Sequence, residues 1–292
     1  MKKTICTVFA LLLALSLLAG CGGSPSSASP SASATPSGSV APSAGGDEEI
    51  LIGYSLNTMD STMKITADFY ERTALAEGWT PILLNANGDV TTELANVESL
   101  INSGVKAVVI MGVDTEGSAA AVKACSDAGI PCIIAGRKIN ADEEDYYTYV
   151  SGDHYMAGET QAAYINDYLD AHPDKKLNLA FIYGQSGNSN VAARHAGFED
   201  ACLKNPINAD RVTLVAEQYA EFDAEKAYNV TTDMLQTYPD INCFVTQSDD
   251  MAGGIINAIK AQGRDVKDYM IVSIDCSAVG IGYLRSGELD AT

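Results

Sequence analysis

Charged side chains follow two apolar runs of the sequence. Arg137 comes just after the run 132–135, and Asp275 closes the run 270–274. A carboxylate next to buried strand residues is costly unless the strand end opens onto a cleft. In such a cleft, guanidinium and carboxylate groups make charge-assisted hydrogen bonds that contribute about 1.5–3 kcal/mol each. These residues are therefore candidates for holding a polar small molecule.

The elements that must position Arg137 lie in the segment 105–138. The β-branched run 107–111 is typical of a buried parallel strand. A helical stretch follows, Gly129 ends it, and Pro131 prevents its restart. Because the next apolar run forms a second strand, the segment predicts a right-handed β-α-β unit. Ligands of such sheets bind beyond the carboxyl ends of the strands, which is where Arg137 stands.

Alternating strands and helices fill the rest of the chain in two successive series. This pattern predicts an α/β fold of two Rossmann-like lobes with parallel sheets, joined by a hinge at Ser151, Gly152 and Asp153. We place the N-terminal α/β lobe at 48–152 and the C-terminal lobe at 153–292. The last residues would stop in the middle of a strand, so we expect this lobe to be incomplete and the C-terminus truncated.

Apolar residues repeat at helical spacing in the predicted helices. The first helix, 62–77, carries Ile65, Phe69 and Leu75 on one side. The helix before Arg137 carries its own apolar residues on one face. We expect these faces to pack on the sheet.

The first residues of the chain are predicted to form a targeting signal rather than part of the folded structure. Two lysines precede an apolar stretch, 8–18, that is shorter than a membrane span needs. The letters LAGC at 18–21 resemble the lipobox of bacterial lipoproteins. This resemblance implies a signal peptide over 1–20 and acyl chains such as palmitate on Cys21. An ordinary secretory signal is the alternative.

Residues 21–47 consist almost entirely of Ser, Ala, Pro and Gly. Such a composition buries no apolar surface and predicts a disordered tether. We therefore expect a cell-membrane protein that is lipid-anchored on the extracytoplasmic face.

Charge and cysteine content exclude several classes of protein. The net charge is −20, from 38 acidic and 18 basic residues. No Lys/Arg cluster is dense enough to follow a phosphate backbone, so we expect no nucleic-acid partner. Cys6 leaves with the signal, and the five cysteines after Cys21 lack C-x-x-C spacing, which favours buried thiols over a metal site or disulfide framework. These five are Cys125, Cys132, Cys202, Cys243 and Cys276.

Catalysis is an alternative that the motifs disfavour. The Gly-x-Ser candidate at 184–188 lacks the final glycine of a nucleophile elbow. His154, His172 and His195 have no metal-ligand spacing, and neither G-x-G-x-x-G nor a P-loop occurs. We therefore expect a protein that is not an enzyme and that needs no cofactor or metal.

Seven short motifs occur in order between residues 49 and 292. They are GYSL at 53–56, ELANV at 93–97, AGIP at 128–131, SGD at 151–153, RHAGF at 194–198, QSDDMA at 247–252 and ID at 274–275. In this order they resemble the ribose-binding-like group of type I periplasmic binding proteins, the sugar-binding proteins of ATP-driven bacterial importers. The resemblance implies two hinged lobes that close on a small ligand and deliver it to a membrane permease.

The resemblance also implies a set of ligand-binding residues. Arg137 and Arg194 match two cleft arginines of the family, and Phe222 matches a stacking aromatic residue. With Asp275, they would meet the donors, acceptors and ring faces of a sugar. A surface arginine, a surface ion pair and a core phenylalanine are the alternatives for the first three. Ser248 stands where ribose binders carry asparagine.

The chain departs from the family pattern at several cleft positions. The first loop carries Thr58, Asp60 and Ser61 where pentose binders carry Asn-Pro followed by two aromatic residues. Gly136 replaces an aspartate, and Met111 replaces an asparagine. We still expect these loop residues to contact the ligand, but the changes argue against ribose as that ligand.

The sequence therefore predicts an extracytoplasmic substrate-binding lipoprotein of an ABC importer. We expect a monomer that binds a monosaccharide or sugar-like polyol by hinge closure and docks on an ABC permease. Two alternatives stay open: a surface receptor that feeds a membrane sensor kinase, and a binder of a non-sugar solute. A DNA-binding repressor is excluded by the export signal and by the lack of a basic helical headpiece.

Overall fold

The computed structural model describes residues 49–292, which contain two parallel sheets. The first sheet has the strand order β2-β1-β3-β4-β5. Its strands are β1 (Leu51–Leu56), β2 (Thr80–Asn85), β3 (Ala107–Ile110), β4 (Cys132–Ala135) and β5 (Thr148–Val150). The helices that connect them are α1 (Ser61–Ala76), α2 (Val90–Asn102) and α3 (Ala119–Asp127). We call these elements the first lobe.

The second sheet has the strand order β7-β6-β8-β9. Its strands are β6 (Leu177–Tyr183), β7 (Val212–Tyr219), β8 (Cys243–Thr246) and β9 (Met270–Val272). Its helices are α4 (His154–Ala171), α5 (Ser189–Phe198), α6 (Ala224–Thr237), α7 (Asp249–Ala261) and α8 (Ala278–Ser286). Short helical turns lie at Glu199–Leu203, Pro206–Asn208 and Val266–Asp268. We call these elements the second lobe. The predicted α/β fold class with two parallel sheets is confirmed.

Side-chain caps fix where the helices begin, and hence where the loops at the carboxyl ends of the strands stop. Asp60 caps α1 by accepting from the backbone N–H of Met63 at 2.8 Å. Asp153 caps α4, and Ser248 caps α7 in the same way. These caps satisfy N–H groups that have no partner inside the helix.

The core of each lobe lies between its sheet and its helices. In the first lobe, the packed face of α2 contributes Val97 and Leu100, and α3 contributes Val122 and Cys125, all fully buried. The second sheet is covered on both faces, and every residue of β8 is buried. Full burial explains why this strand is a continuous apolar run in the sequence.

Helix α1 does not pack as its sequence pattern predicts. Ile65, Phe69 and Leu75 are 55%, 59% and 58% exposed, whereas the buried residues of α1 are alanines. Small side chains allow α1 to lie close to the sheet, and Tyr70 stacks on Tyr54 with 4.8 Å between ring centroids. The expectation that the larger apolar face packs on the sheet is therefore wrong for this helix.

Strand β9 ends at Val272, two residues before the predicted end. Beyond the strand the backbone turns, and Asp275 and Cys276 have positive φ angles of 122° and 51°. Cys276 is also exposed, whereas the other four cysteines within residues 49–292 are buried, as predicted.

Several predictions fall on the part of the chain before residue 49. The signal peptide, the tether, Cys6 and the lipidated Cys21 lie outside the described residues. Among the helices from residue 49 onward, none combines the length and apolar character that a membrane span requires.

Candidate ligand-binding cleft

A cavity of about 180 Å³ lies where the carboxyl ends of the two sheets face each other. The predicted ligand residues that line it are Asp60, Arg137, Arg194, Phe222, Ser248 and Asp275. The hinge residue Gly152 also lines it, as do the two departures from the family pattern, Met111 and Gly136. Residues that lie more than 200 positions apart in the sequence thus meet around one small space.

Arg137 reaches the cavity from the loop after β4 and joins the two lobes. Its Nη1 donates to the carbonyl oxygen of Gly112 at 3.2 Å and to Oε1 of Gln185, in the second lobe, at 3.3 Å. The guanidinium carbon lies 5.6 Å from the ring centroid of Phe222, within cation–π range. Burial lowers the pKa of Arg137 to about 10, and the nearby Asp60 opposes this shift. Arg137 is therefore still a cation at neutral pH.

Arg194 reaches the cavity from α5. Its Nη1 donates to the carbonyl oxygen of Gln247 at 2.8 Å, while its Nε is buried without a hydrogen-bond partner within residues 49–292. Burial lowers its pKa, and Asp275 opposes this effect. A guanidinium has five N–H donors, so Arg194 has donors to spare for a ligand.

Helix α4 fixes the backbone around Arg194 by close packing. A Cβ at Gly158 would stand only 1.9 Å from the carbonyl oxygen of Arg194. The glycine is therefore required for α4 and α5 to approach this closely.

Asp275 faces both lobes. Its Oδ2 accepts from Oγ1 of Thr62, in the first lobe, at 3.2 Å. Burial raises the pKa of Asp275 to about 7, although Arg194 counteracts the shift. The carboxyl group is consequently divided between its two forms at neutral pH, and it can accept from or donate to a hydroxyl group.

Phe222 forms one wall of the cavity from the turn between β7 and α6. Its φ of 58° lies in the left-handed region, as does that of Glu221. The ring packs against Gly184, where a Cβ would come within 2.1 Å of it. This turn therefore places an aromatic face, with no polar atom, opposite Arg137.

Direct hydrogen bonds join the lobes on the rim of the cavity. Ser61 donates from its hydroxyl group to Oδ2 of Asp250 at 2.8 Å. On another side, Ser189 Oγ accepts from the backbone N–H of Lys138 at 2.9 Å. The two lobes are therefore joined by direct hydrogen bonds as well as by the residues that line the cavity.

Two predicted ligand residues do not line the cavity. Thr58 donates to Oδ2 of Asp60 at 3.1 Å, so it supports a lining residue instead. Ser61 is engaged with Asp250. Of the predicted hinge residues, Ser151 donates to the carbonyl oxygen of Gly136 at 2.8 Å, and Asp153 caps α4.

Sequence reasoning missed five residues of the lining. They are Thr62, Met63, His154, Asn190 and Asp250. Asp250 lies within the motif at 247–252, and His154 follows the predicted hinge, so position gave a signal for both. Ser248 lines the cavity, and its Oγ also accepts from the backbone N–H of Met251 as a helix cap. Within residues 49–292, no set of His, Cys, Asp or Glu side chains could hold a metal ion.

Comparison with known proteins places this geometry in a family. Residues 52–292 match the model of the periplasmic binding protein domain. The chain is 29% identical to the ribose import binding protein RbsB of Bacillus subtilis (strain 168) over 294 residues, which cover all of this chain and 87% of that protein.

Two solved structures share the fold. An ABC transporter solute binding protein from Bacillus halodurans C-125 with bound myo-inositol is 25% identical, with a TM-score of 0.74 and coverage of 84% of this chain and 82% of that one. The fructose binding periplasmic domain of a hybrid two component system is 26% identical, with a TM-score of 0.75 and coverage of 83% and 78%.

Members of this family are solute receptors without catalytic activity, so the prediction that the chain is not an enzyme is confirmed. The match covers both sheets and every residue of the cavity lining. The chain belongs to the periplasmic binding protein domain family.

Proposed function

We propose that this protein is the extracytoplasmic substrate-binding lipoprotein of an ABC importer and that it binds a small sugar or polyol in the cavity between its lobes. The observation that carries this proposal is the meeting of Arg137, Arg194, Asp275 and Phe222 around one cavity. Donors, an acceptor and an aromatic face together suit a hydroxyl-rich ring. Names of similar proteins refer to ribose and myo-inositol, which are ligands of this kind.

The balance of charge in the lining favours an uncharged ligand. Two arginines face the carboxyl groups of Asp60, Asp250 and Asp275. Since Asp275 is only partly ionised near neutral pH, the positive and negative charges nearly cancel. A neutral polyol would add hydrogen bonds without leaving a charge unpaired.

The mechanism is closure of the two lobes about the segment Ser151, Gly152 and Asp153. Arg137 holds the ligand from the N-terminal lobe, 48–152, and Arg194, Phe222 and Asp275 hold it from the C-terminal lobe, 153–292. A ligand that bridges the lobes shifts the population toward the closed state. Closure removes water, which strengthens each polar contact. The closed monomer then docks on the permease.

Calorimetric titration tests the binding function directly. We expect one member of a panel of pentoses, hexoses, inositols and furanose sugars to bind with micromolar or tighter affinity. Asp275→Ala should weaken this binding at least 100-fold, because it removes an acceptor and leaves Arg194 without its nearest counter-charge. Asp233→Ala, on the exposed face of α6, is the matched control. No binding across the panel would overturn the sugar assignment in favour of a non-sugar solute.

A second candidate function is that of a surface receptor that feeds a membrane sensor kinase. The observation in its favour is the similarity to a fructose binding periplasmic domain of a two component system. Uptake of a labelled sugar that is lost on deletion of the gene supports import. A transcriptional response that is lost while uptake persists supports sensing.

The lipid anchor is part of the proposal and has its own test. Metabolic labelling with palmitate should label the wild-type protein, and Cys21→Ala should release an unlabelled protein from the membrane. A membrane-bound, labelled Cys21→Ala variant would contradict the lipoprotein assignment.

A further inference from the structure

Asp249 is a fully buried carboxylate that does not belong to the cavity lining. It is the first residue of α7, and its exposed fraction is 0%. A buried carboxylate is costly unless donors surround it. The groups that surround Asp249 therefore indicate why it is there.

Four donors bind the two oxygens of Asp249. Oδ1 accepts from the hydroxyl groups of Ser273 and Thr292, the latter at 2.6 Å. Oδ2 accepts from both the backbone N–H and the hydroxyl group of Ser277, each at 2.8 Å. Both acceptor atoms of this buried side chain are thus satisfied.

These donors flank one short segment, 273–277, which carries Asp275. Ser273 and Ser277 are its two ends, and its middle adopts positive φ angles at Asp275 and Cys276. Residues with side chains rarely hold this backbone conformation unless the surroundings impose it. Thr292 also holds this segment directly, because its Oγ1 accepts a hydrogen bond from the backbone N–H of Cys276 at 3.0 Å.

Helix α8 leaves no spare room around the carboxylate. A Cβ at Gly280 would stand 2.1 Å from Oδ2 of Asp249. The first turn of α8 therefore closes directly over Asp249 and keeps it in one position.

We propose that Asp249 is a positioning residue for ligand binding, whose carboxylate holds the segment 273–277 so that the carboxyl group of Asp275 faces the cavity. This inference rests on the proposed binding function, since it assigns Asp275 a role toward the ligand. Asp249 itself touches no ligand; it acts through the backbone that it anchors.

The charge of Asp249 affects the pKa of Asp275, and this effect can be measured separately from any effect of Asp249 on protein stability. Four groups face Asp275: Arg194 from α5, Asp249 from α7, Asp60 from the loop before α1, and the hydroxyl group of Thr62 from α1. Repulsion from Asp249 is one of the effects that raise the pKa of Asp275, after burial.

The variants Asp249→Asn and Asp249→Ala distinguish the role of Asp249 in holding the segment 273–277 from the effect of its negative charge. The asparagine carbonyl can still accept from Ser277, and its amide can donate to the hydroxyl groups of Ser273 and Thr292, which can act as acceptors. Asp249→Asn should therefore keep the segment in place without its negative charge. Asp249→Ala should release the segment.

The measurements are affinity and the titration of Asp275. With myo-inositol and D-fructose as calorimetric probes, we expect Asp249→Asn to bind within about threefold of wild type and Asp249→Ala to bind at least about 30-fold more weakly. Carbon-13 NMR of the ligand-free protein between pH 4 and 9 should show a lower titration midpoint for Asp275 in Asp249→Asn. Asp233→Asn controls for general charge, and Leu235→Ala, fully buried in α6, controls for loss of stability.

The outcomes distinguish this inference from the proposed function. If Asp249→Ala binds like wild type, or if Leu235→Ala weakens binding as much as Asp249→Ala does, the positioning role is overturned. If neither probe binds wild type, the sugars tested are wrong, and NMR still decides the role of Asp249. An unchanged midpoint and unchanged backbone shifts at 273–277 in both Asp249 variants would then overturn it, and altered ones would support it.

Discussion

Two guanidinium groups and three carboxyl groups meet in a cavity of about 180 Å³. Arg137 and Arg194 are held by backbone carbonyl groups at 3.2 and 2.8 Å, so their direction is set before a ligand arrives. Such preorganisation reduces the entropy that binding must overcome. Burial of these charged groups lowers the stability of the folded protein, because they lose their contacts with water.

Asp275 should make the stability of the ligand-free protein depend on pH. Its pKa is about 7 in the folded protein against 3.8 for an unperturbed aspartate, so the folded state binds the proton more tightly than the unfolded state. The stability that this proton provides is fully present below pH 3.8, and it is lost as the pH rises through 7. A pKa difference of this size corresponds to about 4 kcal/mol at most.

Asp275→Asn removes this dependence, since the amide stays neutral. We expect the variant to be more stable than wild type above pH 7, while it loses affinity for the sugar. Urea unfolding at several pH values measures the effect. Equal pH dependence of wild type and variant between pH 4 and 8 would show that Asp275 is not the titrating group.

At the scale of elements, the site depends on how closely helices approach one another. Helices α4 and α5 touch through glycines, and Arg194 projects from α5 at this contact. Asp60, Asp153 and Ser248 cap helices that begin at the cavity. The positions of Asp60, Arg194 and Ser248 are thus set by the places where helices begin or pack.

Gly158→Ala should separate α4 from α5. Its new Cβ would meet the carbonyl oxygen of Arg194 at 1.9 Å, and overpacking of this kind costs about 1–3 kcal/mol. We expect lower stability and weaker sugar binding, measured by thermal unfolding and calorimetry.

Gly282→Ala is the matched control for this change. Gly282 lies in α8, and apart from the backbone of its own helix no atom lies within 4 Å of the position that a Cβ would take there. Alanine at this position should stabilise the protein slightly, by about 0.4–1 kcal/mol. Similar losses in both variants would contradict the packing argument.

At the scale of the whole molecule, direct hydrogen bonds join the two lobes beside the cavity. Ser61 binds Asp250, and Ser189 binds Lys138, on the rim of the cavity. These bonds stabilise the arrangement in which the two lobes face each other across the cavity.

The double variant Ser61→Ala/Ser189→Ala should favour an open molecule. Each hydrogen bond contributes about 0.5–1.5 kcal/mol, so loss of both should lower the affinity for the sugar about five- to 150-fold. Small-angle X-ray scattering of the ligand-free variant should give a larger radius of gyration than wild type. Ser103→Ala, whose hydroxyl group binds only within its own lobe, serves as control. An unchanged radius and affinity would argue against a role of these bonds in closure.

Much of this architecture could be predicted from the sequence, since its signals are local. Buried strands are apolar runs, glycine and proline end helices, and the chain order of the elements follows. Arg137 and Asp275, at strand ends, could be located for the same reason, whereas Arg194 was identified only through the family resemblance; all three line one cavity. The exposed face of α1 was beyond such reasoning, because amphipathic spacing does not say which face meets the sheet.

The sequence alone determined the alternation of strands and helices, the two series and the candidate charges, because each depends on neighbouring residues. Only the tertiary structure decided which groups meet. Ser61 binds Asp250 across 189 positions, and Asp249 supports a segment that begins 24 residues later. The raised pKa of Asp275 is likewise determined by the tertiary structure, because desolvation depends on all the groups that surround the carboxyl group in space.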